Sequence, residues 1–559
     1  MSFFDDASLA FLPSSGAGKD GKAYSIKPTT GDGDFTFSRG SNLSATRVGP
    51  TGLIEKGREN LLTYSNQFDT TWGTSSATPL SGYADRNGGT DAWLLREDAT
   101  TSAHWIRQSS GLYSGIGTFS FYAKKKDYDW IQFGRSGDGG DYANFNISNG
   151  TLGNVSGASI IDRKINSVGN GWYRCSVTYS FGSNSFVGIA LIRSDVSTRY
   201  ESYLGDGTSG TYIQDAQVEI GLAATDYIES GATTGKAGLL EDEPRFDYSG
   251  GATCPSLLLE PSRTQLVTQS EYFGGSDWVS SSNVNITDNV TTSPEGVQNA
   301  ALINFTSGSN YFQNGGAGMV SGSTYTISCY VKRALSTDQV FRLYGNGNIV
   351  SGNFTATSEW QRFTYTFTAA STNFSCGLTT PSTCQIHLYG FQVEQASYPT
   401  SYIPNHSGGG SVTRGADGMN NSSLGLTDCT FFVDFVPLSS VMGLLDFYDN
   451  SNARIFYIAI NSVKYLQFNS VQGGTIGDVL GPLTIGNRYK LAFTLNASNG
   501  DITIFINGTK YNTYSTTISS LNKILQVSSF GYYNNTEFNQ ILTFGEILSD
   551  ADCITLTTL

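Results

Sequence analysis

Three histidines, His104, His387 and His406, are the chain's whole supply of imidazole bases across 559 residues, and nucleophilic catalysis needs a base held beside its nucleophile. His387 falls in an alternating stretch, His406 in a Gly- and Ser-rich connection, and His104 beside Trp105, so each reads as structural. Glycoside cleavage would instead need two carboxylates at a fixed separation, and no acidic pair stands in an evident catalytic setting. Asp138-Gly139-Gly140-Asp141 could offer oxygen ligands to calcium, but it lacks EF-hand spacing and reads better as a solvated hairpin loop. Seven cysteines occur with no CxxC and no cysteine-histidine cluster at zinc spacing. They read as isolated buried thiols, although Cys376 and Cys384 could pair across a short loop in an oxidising setting. The expectation is a protein that is not an enzyme and has no resident cofactor, with calcium left open but unsupported.

Sugar binding asks for less, because an exposed aromatic ring can stack on a pyranose while amides and carboxylates bond its hydroxyls. Trp105 and Trp130 lie in polar surroundings, and Phe530-Gly531-Tyr532-Tyr533-Asn534-Asn535 sets adjacent rings next to amides in a loop. The candidate ligand-binding residues are therefore Trp105, Trp130, Tyr532, Tyr533 and Asn534, against the competing reading of core packing or subunit contact. Trp93, Trp172 and Trp360 read as core.

The composition supports sheets rather than helices: 65 Gly, 31 Tyr and 33 Phe stand against 4 Met. A formal net charge of -14 repels phosphate backbones and anionic lipid, which argues against nucleic acid as a partner. The opening Met1-Ser2-Phe3-Phe4-Asp5-Asp6 carries no signal-peptide pattern. No apolar run is long enough to cross a bilayer. Both features fit a soluble product made in the cytoplasm, without membrane insertion.

The elements that must position any site emerge from self-comparison. Arg58-Glu59-Asn60-Leu61-Leu62, followed by Phe68 and Trp72, recurs as Arg263-Thr264-Gln265-Leu266-Val267, followed by Phe273 and Trp278. Phe119-Ser120-Phe121-Tyr122-Ala123-Lys124 answers to Ile327-Ser328-Cys329-Tyr330-Val331-Lys332, and Trp172-Tyr173-Arg174 to Trp360-Gln361-Arg362. Gln217-Val218-Glu219 with Thr225-Asp226-Tyr227-Ile228 matches Gln392-Val393-Glu394 with Thr400-Ser401-Tyr402-Ile403. Four blocks in one order mean two copies of one domain, and within them apolar residues alternate with the period of a half-buried strand. The fold class is all-β: tandem jelly-roll β-sandwiches at 58–230 and 263–405, then a third sandwich at 429–559. Residues 1–57 match neither copy. Residues 231–262 and 406–428 read as linkers, the second opening on the flexible Ser407-Gly408-Gly409-Gly410-Ser411, while Leu257-Leu258-Leu259 in the first should pack against a neighbour.

In the third unit, the hairpin at Asn507-Gly508-Thr509-Lys510 and the closing Leu548-Ser549-Asp550-Ala551-Asp552 resemble the end of a laminin-G or concanavalin-like sandwich. Such domains often hold calcium near loops like the one bearing Asp446 and Asp449. More widely, Arg58-Glu59-Asn60-Leu61-Leu62, Pro244-Arg245-Phe246-Asp247-Tyr248, Leu257-Leu258-Leu259-Glu260-Pro261-Ser262-Arg263 and Tyr402-Ile403-Pro404 leading to Val412-Thr413-Arg414 resemble segments of bacteriophage virion appendage proteins. In those proteins, jelly rolls like carbohydrate-binding modules precede a laminin-G-like domain. The resemblance implies a tail fibre, head fibre or decoration protein, made in the host cytoplasm and exposed on the virion exterior, that binds host-surface glycans. Residues 1–57 would then anchor to other virion proteins, and by analogy the chain would form a homotrimer. Two alternatives stand beside it: a polysaccharide depolymerase or secreted carbohydrate-binding accessory protein, and a purely structural virion component.

Overall fold

A computed structural model describes every residue except 1–2, 16–17, 41–42, 112–113, 137–139, 183–185, 317, 347–348, 408, 449–452, 472–473, 519–520 and 528–534. The fold is all-β, and every named strand pairing is antiparallel. The first jelly roll packs two six-stranded sheets. One runs Ala77–Tyr83, Ala92–Glu97, Gly210–Ile220, Gly115–Lys124, Trp172–Phe181, Ile160–Gly169. The other runs Gly73–Ser75, Trp105–Ser109, Phe186–Ile192, Trp130–Ser136, Tyr142–Asn146, Thr151–Ser156. The second jelly roll repeats the first order as Val284–Thr292, Gln298–Phe305, Cys384–Glu394, Thr324–Arg333, Gln361–Thr368. It repeats the second as Trp278–Ser280, Tyr311–Asn314, Cys376–Thr379, Gln339–Gly345. Only the hairpin arm Ile160–Gly169 lacks a counterpart in the first of these sheets.

The repeated sequence blocks turn out to be fastenings. Asn60 donates to the carbonyls of Ala216 and Ile228 and accepts from the amides of Leu62 and Val218; Gln265 bonds Phe391, Ile403, Val267 and Val393 in the same way. Glu219 accepts from the Thr225 amide at 2.9 Å, as Glu394 does from Thr400 at 2.8 Å, and each also takes the threonine hydroxyl. Tyr64 and Gln269 both hold left-handed backbone, φ 49° and 52°, a conformation that a bulky residue adopts only when held. In both copies a tryptophan holds it: Trp72 Nε1 donates to the Tyr64 carbonyl at 3.1 Å, Trp278 Nε1 to that of Gln269 at 3.0 Å. Buried polar groups must be paired, so these residues recur because the scaffold needs them.

The third sandwich is larger than residues 429–559 alone. Its eight-stranded sheet includes Leu9–Phe11, Arg245–Asp247 and Ser256–Leu259, with Leu9 opposite Thr543 and Leu257 opposite Phe538. Its nine-stranded sheet includes Phe35–Ser38 and Gly418–Leu426, with Met419 opposite Phe37. Residues 1–57 and the segments 231–262 and 406–428, which the sequence reading set outside the three sandwiches, thus supply strands to the third. Phe11, Phe35, Phe37, Phe246, Leu257 and Leu259 are buried in one core with Phe431, Phe447, Phe456 and Phe493, and burying such side chains is worth about 1.5–3 kcal/mol each. Each jelly roll also closes beyond its expected boundary: Gly235–Ala237 pairs with Arg58–Asn60, and Val412–Arg414 with Arg263–Gln265. The hairpin at Asn507-Gly508 turns with φ 47° and 77°, the paired left-handed geometry of a two-residue turn. The helix Asp550–Thr557 is capped by Ser549 Oγ, which accepts from the Asp552 amide.

The expected flexible joint is fastened as well. Asn405 Nδ2 donates to the carbonyls of Val267 and Gly410, and Gln269 Nε2 to those of His406 and Ser407. Beneath it, Lys56 Nζ lies 2.5 Å from Glu295 and 3.2 Å from Glu271, and Arg58 lies 2.7 Å from Glu295. A second buried cluster joins four segments: Arg245 bonds Glu260 (2.5 Å) and Asp417, Arg414 bonds Glu260 (2.7 Å), and Arg39 reaches Asp417 (3.4 Å). Burial would raise the Glu260 carboxyl, but Arg414 and Arg245 hold it well below the usual range. All seven cysteines are free thiols, and Cys376 and Cys384 open strands in opposite sheets, so the suggested pairing is not made. No described helix is long and apolar enough to cross a membrane.

Candidate functional site

The second sheet of the first jelly roll turns Ile106, Ile131, Phe133, Phe145, Ile189 and Leu191 into the core. Strand alternation then points Trp105, Arg107, Trp130, Gln132, Phe186 and Gly188 to the opposite face. Register aligns Trp105 with Ala190 and Gln132, and Arg107 with Gly188 and Gly134. Trp105 and Trp130, both half-buried, thus share one face, two strands apart.

The segment 193–201 crosses this face and is held there by polar side chains. Gln132 donates to the Thr198 carbonyl at 3.1 Å and accepts from the Tyr200 amide at 2.8 Å, while Asn144 donates to the carbonyls of Asp195 and Ser197, both at 2.8 Å. The Tyr200 ring occupies a trough that two glycines leave open: a methyl group on Gly134 would strike the ring, and one on Gly188 would lie 2.8 Å from its hydroxyl. Burial pushes the Tyr200 phenol up to about 12, so it stays an uncharged hydroxyl. Trp105 lies 5.7 Å from Tyr200 at 32°, and the Arg107 guanidinium sits 4.5 Å from the Trp105 ring and 5.0 Å from Phe186. Trp130 packs farther along, over Gly153. The result is a row of rings beside the Arg107 guanidinium, laid over amides that are buried and already bonded, a surface suited to stacking.

The second jelly roll carries the same arrangement in residues that the sequence reading missed. Tyr311, 42% exposed, stands opposite Thr379 and Arg342, as Trp105 stands opposite Ala190 and Gln132. Gln313 stands opposite Gly377 and Tyr344, as Arg107 does opposite Gly188 and Gly134. Ser375 Oγ bridges Gln313 (2.8 Å) and the Tyr344 hydroxyl (3.1 Å), and Arg342 Nε bonds Asn353 at 2.6 Å. A signal was available: Trp105 and Tyr311 each lie 33 residues beyond the tryptophan that closes the first repeated block.

Tyr532, Tyr533 and Asn534 fall outside the described residues. The next residue, Asn535, lines a cavity of about 460 Å³ between the second jelly roll and the C-terminal sandwich, together with Glu537, Asp247, Arg362 and Tyr398. Desolvation, then the nearby charges of Asp247 and Glu260, push the Glu537 carboxyl up to about 7. Folded protein therefore binds more protons than unfolded protein between the ordinary carboxylate range and pH 7, and stability falls as pH rises through that window. A Glu537→Gln variant should match the parent at pH 4 and exceed it by about 3 kcal/mol at pH 8. Urea unfolding at the two pH values checks this, and equal stabilities at pH 8 would contradict it.

The residues weighed for catalysis and calcium are distributed elsewhere. Both ring nitrogens of His104 face backbone carbonyls, of Ser76 and Tyr203. His387 is half-buried, and desolvation first, then Lys332, lowers it. His406 is buried at the joint, with Nε2 3.4 Å from Glu271. Asp141 pairs with Arg135 at 2.9 Å, and Asp446 is buried 3.9 Å from Arg454; residues 138–139 and Asp449 lie outside the described set. Among the described residues no group of three or more His, Cys, Asp or Glu gathers as a metal site. Trp93 and Trp172 are buried, whereas Trp360 is half-buried under Lys332.

No protein-family model matches the chain, and no curated protein matches it in sequence. Among solved structures, the CBM40 module of a Ruminococcus gnavus IT-sialidase, bound to α2,3-sialyllactose, is 13% identical over 24% of this chain and 84% of its own, with a TM-score of 0.21. Domain 4 of a Geobacillus stearothermophilus GH43 extracellular arabinanase, in complex with arabinotriose, is 14% identical over 26% and 73%, at 0.22. A CBM22 tandem domain from Paenibacillus barcinonensis is 11% identical over 64% and 100%, at 0.21.

Proposed function

We propose that this chain is a non-enzymatic glycan-binding protein of a virion appendage, whose two jelly rolls present matched saccharide-binding faces. The observation that carries the glycan reading is the shared register of Trp105 and Tyr311, outward rings with Arg107 beside the first and Arg342 and Gln313 on the face of the second. Core packing does not call for a ring at that position in both copies, because each side chain leaves the core face of its sheet. Two weak sites on one chain bind a repeating polysaccharide more tightly than either site alone. The placement on a virion, the laminin-G-like character of the C-terminal sandwich and assembly as a trimer rest on the sequence resemblance. Attachment to the particle would use a surface other than strands Leu9–Phe11 and Phe35–Ser38, which the C-terminal sandwich already engages.

Glu537, with its carboxyl raised into the range of a general acid and Asp247 nearby, favours a depolymerase as the second reading. Incubating the full chain with host capsule or lipopolysaccharide separates the two. Binding without new reducing ends supports the adhesin, released reducing ends support the depolymerase, and neither result leaves a purely structural component. Labelled images of intact particles test the virion placement.

A further inference from the structure

The sheets that bear Trp105 and Tyr311 differ in charge from the rest of the chain. Aspartate and glutamate number 47 against 33 lysines and arginines. Yet no strand in either sheet holds an aspartate or glutamate, Ile349–Val350 and Phe354–Ala356 at the edge of the later one included. Strand propensity does not account for this, because the opposite sheets of the same jelly rolls carry Glu97, Asp162, Asp215, Glu219, Asp288 and Glu394. The segment that crosses the first face brings two carboxylates. Glu201 is paired with Arg193 at 2.8 Å, and Asp195 lies beside Asn144, three strands from Arg107.

Guanidinium groups stand on these faces instead. Arg107 packs against the Trp105 and Phe186 rings. Arg199, exposed, lies 5.2 Å from the Tyr200 ring, with Nη1 donating to the Arg135 carbonyl at 2.8 Å. In the second jelly roll Arg342 is two strands from Tyr311 and bonds Asn353. Arg199 and Arg342 thus bond uncharged acceptors, and neither is in an ion pair among the described residues. The arginines are not a shared scaffold feature: Arg107 holds the register position of Gln313, and Arg342 that of Gln132. Burial raises the Tyr200 phenol, and Arg199 and then Arg107 oppose the rise, so both cations act at the middle of the first face.

Hydroxyl recognition needs acceptors as well as donors, and carboxylates are the strongest acceptors that side chains offer. On these faces Gln132 and Asn144 are buried and spent on the crossing segment, and Ser375 is shared between Gln313 and Tyr344. A neutral saccharide would stack with few of its hydroxyl protons met. An anionic one meets a guanidinium fork and no carboxylate on the sheet to repel it.

We propose that both faces select an anionic saccharide, a repeat bearing a carboxylate or a sulfate ester. Its ring stacks on Trp105 or Tyr311, and its charge is bonded by Arg107 and Arg199 on the first face and by Arg342 on the second. The proposal rests on the glycan-binding reading above and names its substrate class. Single guanidiniums set among rings, on a chain of net charge -14, do not make the basic track that a nucleic-acid backbone needs.

The test is biolayer interferometry of the full chain on matched polymers: polygalacturonate, polysialic acid and hyaluronan, each beside its carboxyl-reduced form, and dextran sulfate beside dextran. At about 50 mM NaCl at least one anionic polymer should bind at least about tenfold tighter than its neutral counterpart, and the ratio should shrink at about 500 mM as charge is screened. A lead in the first three pairs assigns a carboxylate, a lead in the last a sulfate ester. Combining Arg107→Gln, Arg199→Gln and Arg342→Gln should bring the ratio to within about threefold of unity. Thermal unfolding controls for folding, and Arg199→Gln with Arg342→Gln alone should still lower the ratio. Neutral forms that bind as tightly as the anionic ones overturn the proposal and leave the glycan reading standing, whereas failure of every polymer to bind overturns both. A preference that survives the combined variant, or equal binding of oligothymidylate, also overturns it.

Discussion

Replacing Arg245 with alanine should cost about 3–5 kcal/mol, the largest single effect expected in this protein. Arg245 is fully buried, and one guanidinium bonds Glu260, Asp417 and the Ser401 hydroxyl at once. Without it, Asp417 retains Arg39 at 3.4 Å and Glu260 retains Arg414, so two carboxylates stay buried with half their compensation. The loss is large because the cost of burying those charges persists after the partner has gone. Arg245 begins the strand Arg245–Asp247, Glu260 follows Ser256–Leu259, and Asp417 precedes Gly418–Leu426, so the damage falls where the second jelly roll meets the C-terminal sandwich. Urea unfolding should show an earlier first transition, and limited proteolysis should open the exposed 250–254 turn. Unchanged unfolding within about 0.5 kcal/mol, the scatter of ordinary surface substitutions, would show that the cluster does not hold this junction.

The second large effect is functional. Truncating one stacked ring at a carbohydrate surface should weaken that site by about 1–3 kcal/mol, by analogy with aromatic stacking on nucleobases. Truncating both rings removes the bivalent advantage as well, which ranges over roughly 10²–10⁴ for linked sites. Trp105→Ala combined with Tyr311→Ala should therefore lower avidity for a repeating polysaccharide at least about a hundredfold, more than either change alone would suggest. Both rings stand outside the buried clusters of their jelly rolls, so melting should shift little. Biolayer interferometry on immobilised polysaccharide makes the comparison. A double variant that binds within threefold of the parent would remove the outer faces from consideration.

Much of the scaffold is legible in the sequence because its determinants are local. Period-two burial and the paired fastenings, Asn60 with Gln265 and Glu219 with Glu394, lie in short blocks whose order repeats. The make-up of the C-terminal sandwich is not legible. Leu9-Ala10-Phe11 is a three-residue apolar stretch, and nothing in it shows that its partner is Thr543-Leu542-Ile541 at the far end of the chain. Strand pairing is a non-local property, and an alternating pattern specifies a face but no neighbour. The candidate site shows the same division. Trp105 and Trp130 stand out by residue type, whereas Tyr311 gains meaning only through the register that sets it opposite Thr379 and Arg342. Asn535 ends the ring-and-amide loop noticed in the sequence, but its cavity exists only because segments from four parts of the chain converge there.

The pairing of Leu9–Phe11 with Thr536–Phe544 also orders events in time. Each jelly roll draws its two main sheets from one continuous stretch and can close soon after that stretch leaves the ribosome, since domains generally fold as units during synthesis. The C-terminal sandwich must wait, because its outer strands emerge first and the strand they flank emerges last. Until residues 419–544 have been made, Phe11, Phe35, Phe37, Leu257 and Leu259 have no core to enter. These are the segments that a chaperone would shield on the nascent chain.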